Sequence, residues 1–306
     1  MTEGPAPRIA VCLAAYNGIR YLRQQLDSIF TQDGVNVTLF ASIDISSDGT
    51  EQWFEAFAAE QPQCVVLSHG QRFGGAAQNF FRLLRDVDFE QFDHVAFSDQ
   101  DDIWMPDKLM RAVRCLTENQ AQGYSSDVIA FWESSPSRYI RKSYPQRQWD
   151  FLFESAGPGC TYVLRQSLAR DIQDFLRLHQ DCTSDIGLHD WFCYAFARAR
   201  SLTWYIDNQA RMLYRQHDGN QVGANAGWRA FVWRAQQVLN GWGLNQARSI
   251  ARLVMPPHDP FVARWVGGGR RAVWNLLWRA GQCRRKPLDR FWFAASCAAL
   301  CVLGWA

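Results

Sequence analysis

No uncharged run in this 306-residue chain reaches the ~20 residues that cross a bilayer. The longest, 291–306, has sixteen, enough to dip into lipid without spanning it. None of the nine cysteines forms a CxxC pair, which argues against a zinc site or a disulfide framework and for a reducing compartment. The start of the chain lacks a basic leader, and the apolar run at 9–15 is too short for a signal peptide, so the expected location is cytoplasmic. No internal repeat and no long linker divides the chain. A Gly-rich, Lys- or Arg-bearing phosphate loop is missing after the first predicted strand, where Asn17-Gly18-Ile19-Arg20 is a poor substitute. The formal charge of only +2 gives no reason to expect a nucleic-acid partner.

That near-neutral total hides a division. Between 264 and 290 lie eight basic residues and one acid, so the rest of the chain is net acidic. Eight of the fourteen tryptophans fall after Gly227. A mildly acidic body with a basic, Trp-rich tail suggests a polyanionic surface for the tail. On a helical wheel of 270–286, Arg271, Asn275, Arg279, Gln282 and Lys286 share one face, and Val273, Leu276, Leu277 and Ala280 the other. Such a helix either lies on an anionic membrane, with Trp265, Trp274, Trp278 and Trp292 at headgroup depth, or packs on the domain. Gly267-Gly268-Gly269 offers a hinge.

From residue 8 to 132 the hydrophobic pattern alternates strand and helix: predicted strands at 9–14, 37–43, 64–67 and 94–97, each followed by a helical segment. Asn17 is placed to cap the first helix. This is the rhythm of a doubly wound, mostly parallel α/β sheet. It breaks at 133–148, an irregular stretch, and resumes with a strand at 162–164, a helix at 166–178, a helix opened by His189-Asp190-Trp191, and short strands at 202–206 and 211–214.

Three strand ends share the carboxyl edge of that sheet, where α/β ligands bind. They carry Ala14-Ala15-Tyr16-Asn17-Gly18, Asp44-Ile45-Ser46-Ser47-Asp48-Gly49-Thr50, and Ser98-Asp99-Gln100-Asp101-Asp102-Ile103-Trp104. Asp99 and Asp101 offer oxygen donors suited to Mg²⁺ or Mn²⁺ carrying a diphosphate, and a carboxylate at a second strand end suits the imide N–H of a nucleotide base. The plainer alternatives are an acidic turn in which Asp102 caps a short helix near Met105-Pro106, and a helix cap at Asp48-Gly49-Thr50.

In this order the three motifs resemble the family 2 glycosyltransferases of GT-A fold, and among them the bacterial rhamnosyltransferase-type members that build cell-surface polysaccharide. The similarity continues through Gly157-Pro158-Gly159-Cys160-Thr161, His189-Asp190-Trp191 and Tyr214-Arg215-Gln216-His217-Asp218-Gly219-Asn220, covering about 8–223. It implies a GT-A domain over 1–225 with a basic helical region at 226–306. It further implies that Ala14, Tyr16 and Asn17 line a nucleotide pocket, that Asp44 meets the base, and that Asp99 and Gln100 face the donor. Asp99, Asp101 and His217 would hold Mg²⁺ or Mn²⁺, Arg215 would meet phosphate, Trp191 would support the acceptor pocket, and Asp190 would be the catalytic base. The family often has two adjacent acids where this chain has Ile43-Asp44, which loosens any inference about the base.

The implied activity is metal-dependent, inverting transfer of a sugar from a dTDP- or UDP-sugar, rhamnose from dTDP-rhamnose being one such donor. The acceptor would be a lipid-linked or lipopolysaccharide glycan at the inner face of the cytoplasmic membrane, touched peripherally by the tail. Two rivals stand beside it: a nucleotidyltransferase making a nucleotide sugar, and a non-catalytic, membrane-associated scaffold that retains the sheet.

Overall fold

The structure, a computed structural model, describes residues 4–133, 135–217 and 241–303. Asp218, Gly219 and Asn220 of the last motif, the 225/226 boundary, Trp228, Trp233 and residues 304–306 of the apolar run lie outside the described residues.

Strand β1 (Arg8–Ala15) is apolar along almost its whole length, as a strand covered on both faces must be. It pairs in parallel with β2 (Asn36–Ile43) on one side and β4 (His94–Ser98) on the other, and β3 (Cys64–Val66) extends the sheet beyond β2. Beyond β4 come β9 (Val163–Arg165), β6 (Gly123–Ser126) and β10 (Trp204–Asp207), completing a seven-stranded sheet in the order β10-β6-β9-β4-β1-β2-β3. Only β9 runs against its neighbours. The expected α/β architecture with a mostly parallel sheet is therefore what the chain adopts.

Helices α1 (Ile19–Phe30), α2 (Thr50–Glu60) and α4 (Lys108–Glu118) contribute to a core over one face, with Leu22, Leu26 and Ile29 of α1 at helical spacing. Helices α3 (Ala76–Asp86), α5 (Gln166–Leu178) and α7 (His189–Ala199) contribute to the core over the other; the short α6 (Gln180–Thr183) lies between α5 and α7. Asn17 does not cap α1. Its own φ is +47°, Gly18 stands at the cap position, and the first amides of the helix are taken from across the turn, Gly18 N by Thr50 Oγ1 (2.9 Å) and Ile19 N by Asp48 Oδ2 (3.1 Å).

A second sheet of four short strands, absent from the sequence-based reading, decides where the site forms. Its order is β5 (Ile103–Trp104), β11 (Met212–Arg215), β7 (Val128–Phe131) and β8 (Arg138–Ile140). Because β5 pairs antiparallel with β11, the acidic motif just before β5 is set against Arg215 and His217 at the far end of β11. Asp102 consequently caps no helix: it is fully buried, and its Oδ1 accepts from Arg215 N (3.1 Å).

After residue 241 come α8 (Trp242–Val254), α9 (Arg270–Trp278), α10 (Ala280–Cys283) and α11 (Pro287–Leu303). Their apolar faces, including Ile250, Val273, Leu276 and Leu300, join the core formed by α3, α5 and α7, so these helices close over the sheet. The single helix expected over 270–286 is interrupted. Its chain turns extended at Arg284 because Arg285 is drawn inward to Asp150, Nη1 to Oδ2 3.3 Å, with Tyr194 and Arg198 on the same carboxylate. Trp265, expected at headgroup depth, is 1% exposed against Phe153, whereas Trp274, Trp278 and Trp292 do face outward. No described helix is long and apolar enough to cross a membrane.

Candidate active site

The carboxyl edge of the sheet opens into a cavity of about 1130 Å³. Ala14, Tyr16, Asp44, Asp99, Gln100, Asp101, Asp190 and His217 all line it, so the structure brings together most of the residues singled out in the sequence. Each is held by its own local chemistry.

Gln100 clasps the Tyr16 peptide, accepting from Tyr16 N at Oε1 (2.8 Å) and donating from Nε2 to Tyr16 O (2.9 Å). Gly18 is needed beside it, since a Cβ there would lie 2.2 Å from Gln100 Oε1. Asp44, nearly buried, accepts from Phe73 N (2.5 Å), and Ser46 Oγ donates to its carbonyl (2.8 Å). The end of β4 is pinned in a chain in which Gln25 Nε2 donates to Ser98 Oγ (3.0 Å) and Ser98 Oγ to the Asp99 carbonyl (2.9 Å).

Three carboxylates in four residues repel one another. Burial and the neighbouring Asp101 push Asp99 up to about 7, and burial with Asp101 and Asp99 raises Asp102 well above the carboxylate range. Behind them lies Lys108, 2% exposed, its Nζ 3.4 Å from the centre of the Trp104 ring; burial lowers it to about 7, against the attraction of Cys160 and Asp102. Sequence reasoning passed over Lys108, which lies in the helical segment expected after the fourth strand.

His217 Nε2 meets Asp101 Oδ2 at 2.6 Å, and its ring stacks on Tyr21 at 5.1 Å. Asp99 does not converge on that pair. Among the described residues the one three-ligand group with donor atoms within 4.8 Å of one another is Asp99, Asp102 and Cys160. The donors facing the cavity, the carboxylates of Asp99 and Asp101 and the His217 imidazole, fit a hard divalent cation, Mg²⁺ or, with the imidazole, Mn²⁺.

Asp190, in the first turn of α7, lines the same cavity. Burial lifts it to about 6, opposed by hydrogen bonds from Trp191 N (2.7 Å to Oδ1) and Ser155 and by the charge of Lys142. The close approach of this helix depends on Gly159, where a Cβ would stand 2.6 Å from His189 Nε2 and 3.2 Å from Asp190 Cβ. His189, stacked on Phe80 at 3.8 Å, is lowered by burial to about 3 and is neutral.

Three residues expected at the ligand are placed elsewhere. Trp191 is 5% exposed, with Nε1 donating to Phe151 O (2.9 Å), because the residue after Asp190 on a helix turns into the core. Asn17 is outside the cavity lining, its Oδ1 accepting from Ser47 N (2.7 Å). Arg215 is buried, donating from Nε to the Asp101 carbonyl (2.7 Å) and from Nη2 to Gln24 Oε1 (2.6 Å), which makes it a positioning residue for the acidic loop. Arg72, Arg141, Lys142 and Lys286 also line the cavity.

Residues 6–240 match the family model described as Glycosyltransferase like family 2. The chain belongs to that family. It is 41% identical to the dTDP-rhamnosyl transferase RfbG of Shigella flexneri over 281 residues, 92% of this chain and 96% of that one. An uncharacterized glycosyltransferase of Rickettsia typhi, RT0329, is 24% identical over 70% of this chain and 65% of its own length. Among solved structures, S. aureus TarS 1–349 in complex with UDP superposes with a TM-score of 0.55 at 14% identity, over 90% of this chain and 72% of that one. The mannosyltransferase PcManGT of Pyrobaculum calidifontis, in complex with GDP-Man and Mn²⁺, gives 0.54 at 17% identity over 97% and 87%. The family 2 member described here is thus a glycosyltransferase of GT-A fold, and the nucleotidyltransferase and scaffold readings fall away.

Proposed function

We propose that this glycosyltransferase moves rhamnose from dTDP-rhamnose to a glycan of the cell-surface polysaccharide or lipopolysaccharide type, with inversion and with Mg²⁺ or Mn²⁺ as cofactor. One observation carries the chemistry: Asp190 lines the same cavity as the acidic motif, and burial lifts its affinity for protons to a value suited to a base near neutral pH. The choice of sugar and nucleotide rests on the 41% identity to a dTDP-rhamnosyl transferase.

In this reading the acceptor hydroxyl loses its proton to Asp190 as its oxygen attacks C1 of the donor sugar, and the nucleoside diphosphate leaves from the opposite face. No covalent intermediate on the protein is required. Asp44 accepts from the base, Tyr16 and Ala14 border the nucleoside, and Asp99 faces the ribose or the cation. Asp101 and His217 would hold the cation, whose contribution when bound is to neutralise the departing diphosphate. Arg215 keeps the Asp101 loop in place through its carbonyl. The exposed Trp274 and Trp278, with the basic residues around them, are the proposed peripheral contact with the inner face of the cytoplasmic membrane.

Calorimetric titration with dTDP, UDP and GDP, with and without Mn²⁺, tests the donor half. Metal-dependent binding of dTDP that disappears in Asp101→Ala is the expected result. Preference for UDP or GDP, or binding indifferent to both metal and Asp101, would overturn it.

A further inference from the structure

Between α6 and α7 the chain runs through residues 184–188 in neither helix nor strand, and this segment delivers Asp190 to the cavity. Gly187, Leu188, His189 and Asp190 line the cavity in succession. Within the segment Ile186 N donates to Thr183 O (3.1 Å), and Leu188 O accepts from Phe192 N (3.2 Å) as α7 begins. The first turn of a helix has no turn before it to bond to, so the segment that enters it sets where its side chains lie.

Two glutamine side chains from other helices hold that segment. Gln78, in the first turn of α3, has Nε2 3.1 Å from Thr183 O, 3.0 Å from Ser184 O and 3.2 Å from Ile186 O, so its two hydrogens are shared among three carbonyls. Gln246, buried on α8, accepts from Gly187 N at Oε1 (2.8 Å) and donates from Nε2 to Asp185 O (2.7 Å). The approach is close: a Cβ on Gly187 would stand 3.3 Å from Trp242 Cζ2 and 3.6 Å from Gln246 Oε1. Hydrogen bonds are directional, so this clasp fixes the orientation of the backbone, which apolar packing leaves free. The same end of α3 also serves the wall that carries Asp44: Asn79 Nδ2 donates to Ser42 O (3.0 Å), and Phe73 N to Asp44 Oδ1 (2.5 Å).

We propose that Gln78 and Gln246 are positioning residues for the transfer step: clamped between them, residues 183–187 set the start of α7 and with it the place of Asp190. Helix α8 of the C-terminal region is then a working part of the active site. The inference rests on the reading of Asp190 as the base. In that reading the attacking hydroxyl gives its proton to Asp190 as its oxygen bonds to C1 and the bond from C1 to the diphosphate oxygen breaks. A carboxylate misplaced by about 1 Å slows such a step about a hundredfold.

The test compares Gln78→Met and Gln246→Met with wild type, using the full chain, Mn²⁺ and dTDP-rhamnose, with water serving as acceptor. Amide hydrogen exchange, read by mass spectrometry, should quicken about tenfold across 183–190 in both variants while β1 and β4 stay protected. At a pH where Asp190 is ionised, kcat for donor hydrolysis should fall about thirtyfold, with KM for dTDP-rhamnose and affinity for dTDP unchanged. Asp190 also becomes wetter, so the acid limb should move from about pH 6 toward the ordinary value of 3.8. The groups that face it, Trp191 N, Ser155, Lys142, Tyr162, Cys193 and Asp99, are present in both variants. Exchange unchanged in both variants overturns the clamp. Faster exchange with kcat and acid limb as in wild type overturns the positioning role, and so does a joint loss of kcat, KM and dTDP affinity, which would mean that the glutamines serve the fold at large. Asp190→Asn hydrolysing the donor at the wild-type rate counts instead against the base itself, and the exchange data still judge the clamp.

Discussion

The two walls of the cavity are assembled on different terms. The wall at the ends of β1, β2 and β4 is built within residues 14–102, and its polar atoms are largely committed to one another: Gln100 to the Tyr16 peptide, Asp44 to Phe73 N, Asp48 to two helix starts. The wall formed by Asp190, the 138–144 strap and the segment around Lys286 joins parts of the chain more than 140 residues apart, and it keeps ammonium groups without ion pairs among the described residues. A surface that closes on itself suits one ligand held in one pose.

The largest effect should come from the acceptor wall. Asp190→Asn is expected to lower transfer about a thousandfold, since it removes the proposed general base while keeping the shape. The same substitution should not weaken the fold. Asp190 binds a proton more tightly folded than unfolded, so its carboxyl favours the native state below its ordinary value of 3.8 and that benefit is lost as pH rises through about 6. Replacing it should therefore stabilise the protein by up to about 3 kcal/mol at neutral pH, a gain that fades below about pH 4. Thermal melts of the two proteins across that range check both the sign and the window.

Next in size is the junction that carries the C-terminal helices. Arg285→Met leaves Asp150 buried with only Arg198 and the Tyr194 hydroxyl, and should cost about 3 kcal/mol in urea denaturation. Adding Asp150→Asn should recover part of that loss. If Arg285→Met melts like wild type, the C-terminal helices are not braced to the sheet by this pair.

A gentler probe is pH. Because the proposed base works only when ionised, transfer at saturating substrate should fall tenfold per unit below about pH 6, the value to which burial lifts Asp190. An acid limb near the ordinary carboxylate value would mean that this wall is wetter than its packing indicates. Smallest of all, Trp274→Ser with Trp278→Ser should change stability by less than about 0.5 kcal/mol, as both rings are mainly exposed. Sedimentation with anionic vesicles should nonetheless detect their loss if they meet a membrane.

Much of the first wall was legible in advance. Alternating apolar runs located β1 through β4, and the carboxylates following β4 marked the cavity before any geometry was known. Asp190, marked through its place in a recognisable motif, lines the same cavity. What escaped was direction. Trp191, one residue along a helix from Asp190, points into the core; Arg215 turns inward to the Asp101 carbonyl; and Asn17 serves the Ser47 amide. Of the second sheet only β11 was foreseen, as the short strand at 211–214; β5, β7 and β8, of two to four residues, went unmarked, and their pairing joins segments too far apart for local periodicity to show.

The sequence by itself determined the strand and helix alternation, the three strand ends and the acids they carry, since each follows from local hydrophobic spacing and side-chain type. Tertiary structure alone decided that β5 pairs with β11, so that His217 meets Asp101, and that Arg285 breaks the basic helix to reach Asp150. It also decided that a strap fixed by Asp127 lays Lys142 along the cavity. These are contacts between segments far apart in the chain. The attraction of a buried charge for its partner, and the pairing of backbone groups shut away from water, act only once the fold has brought those segments together.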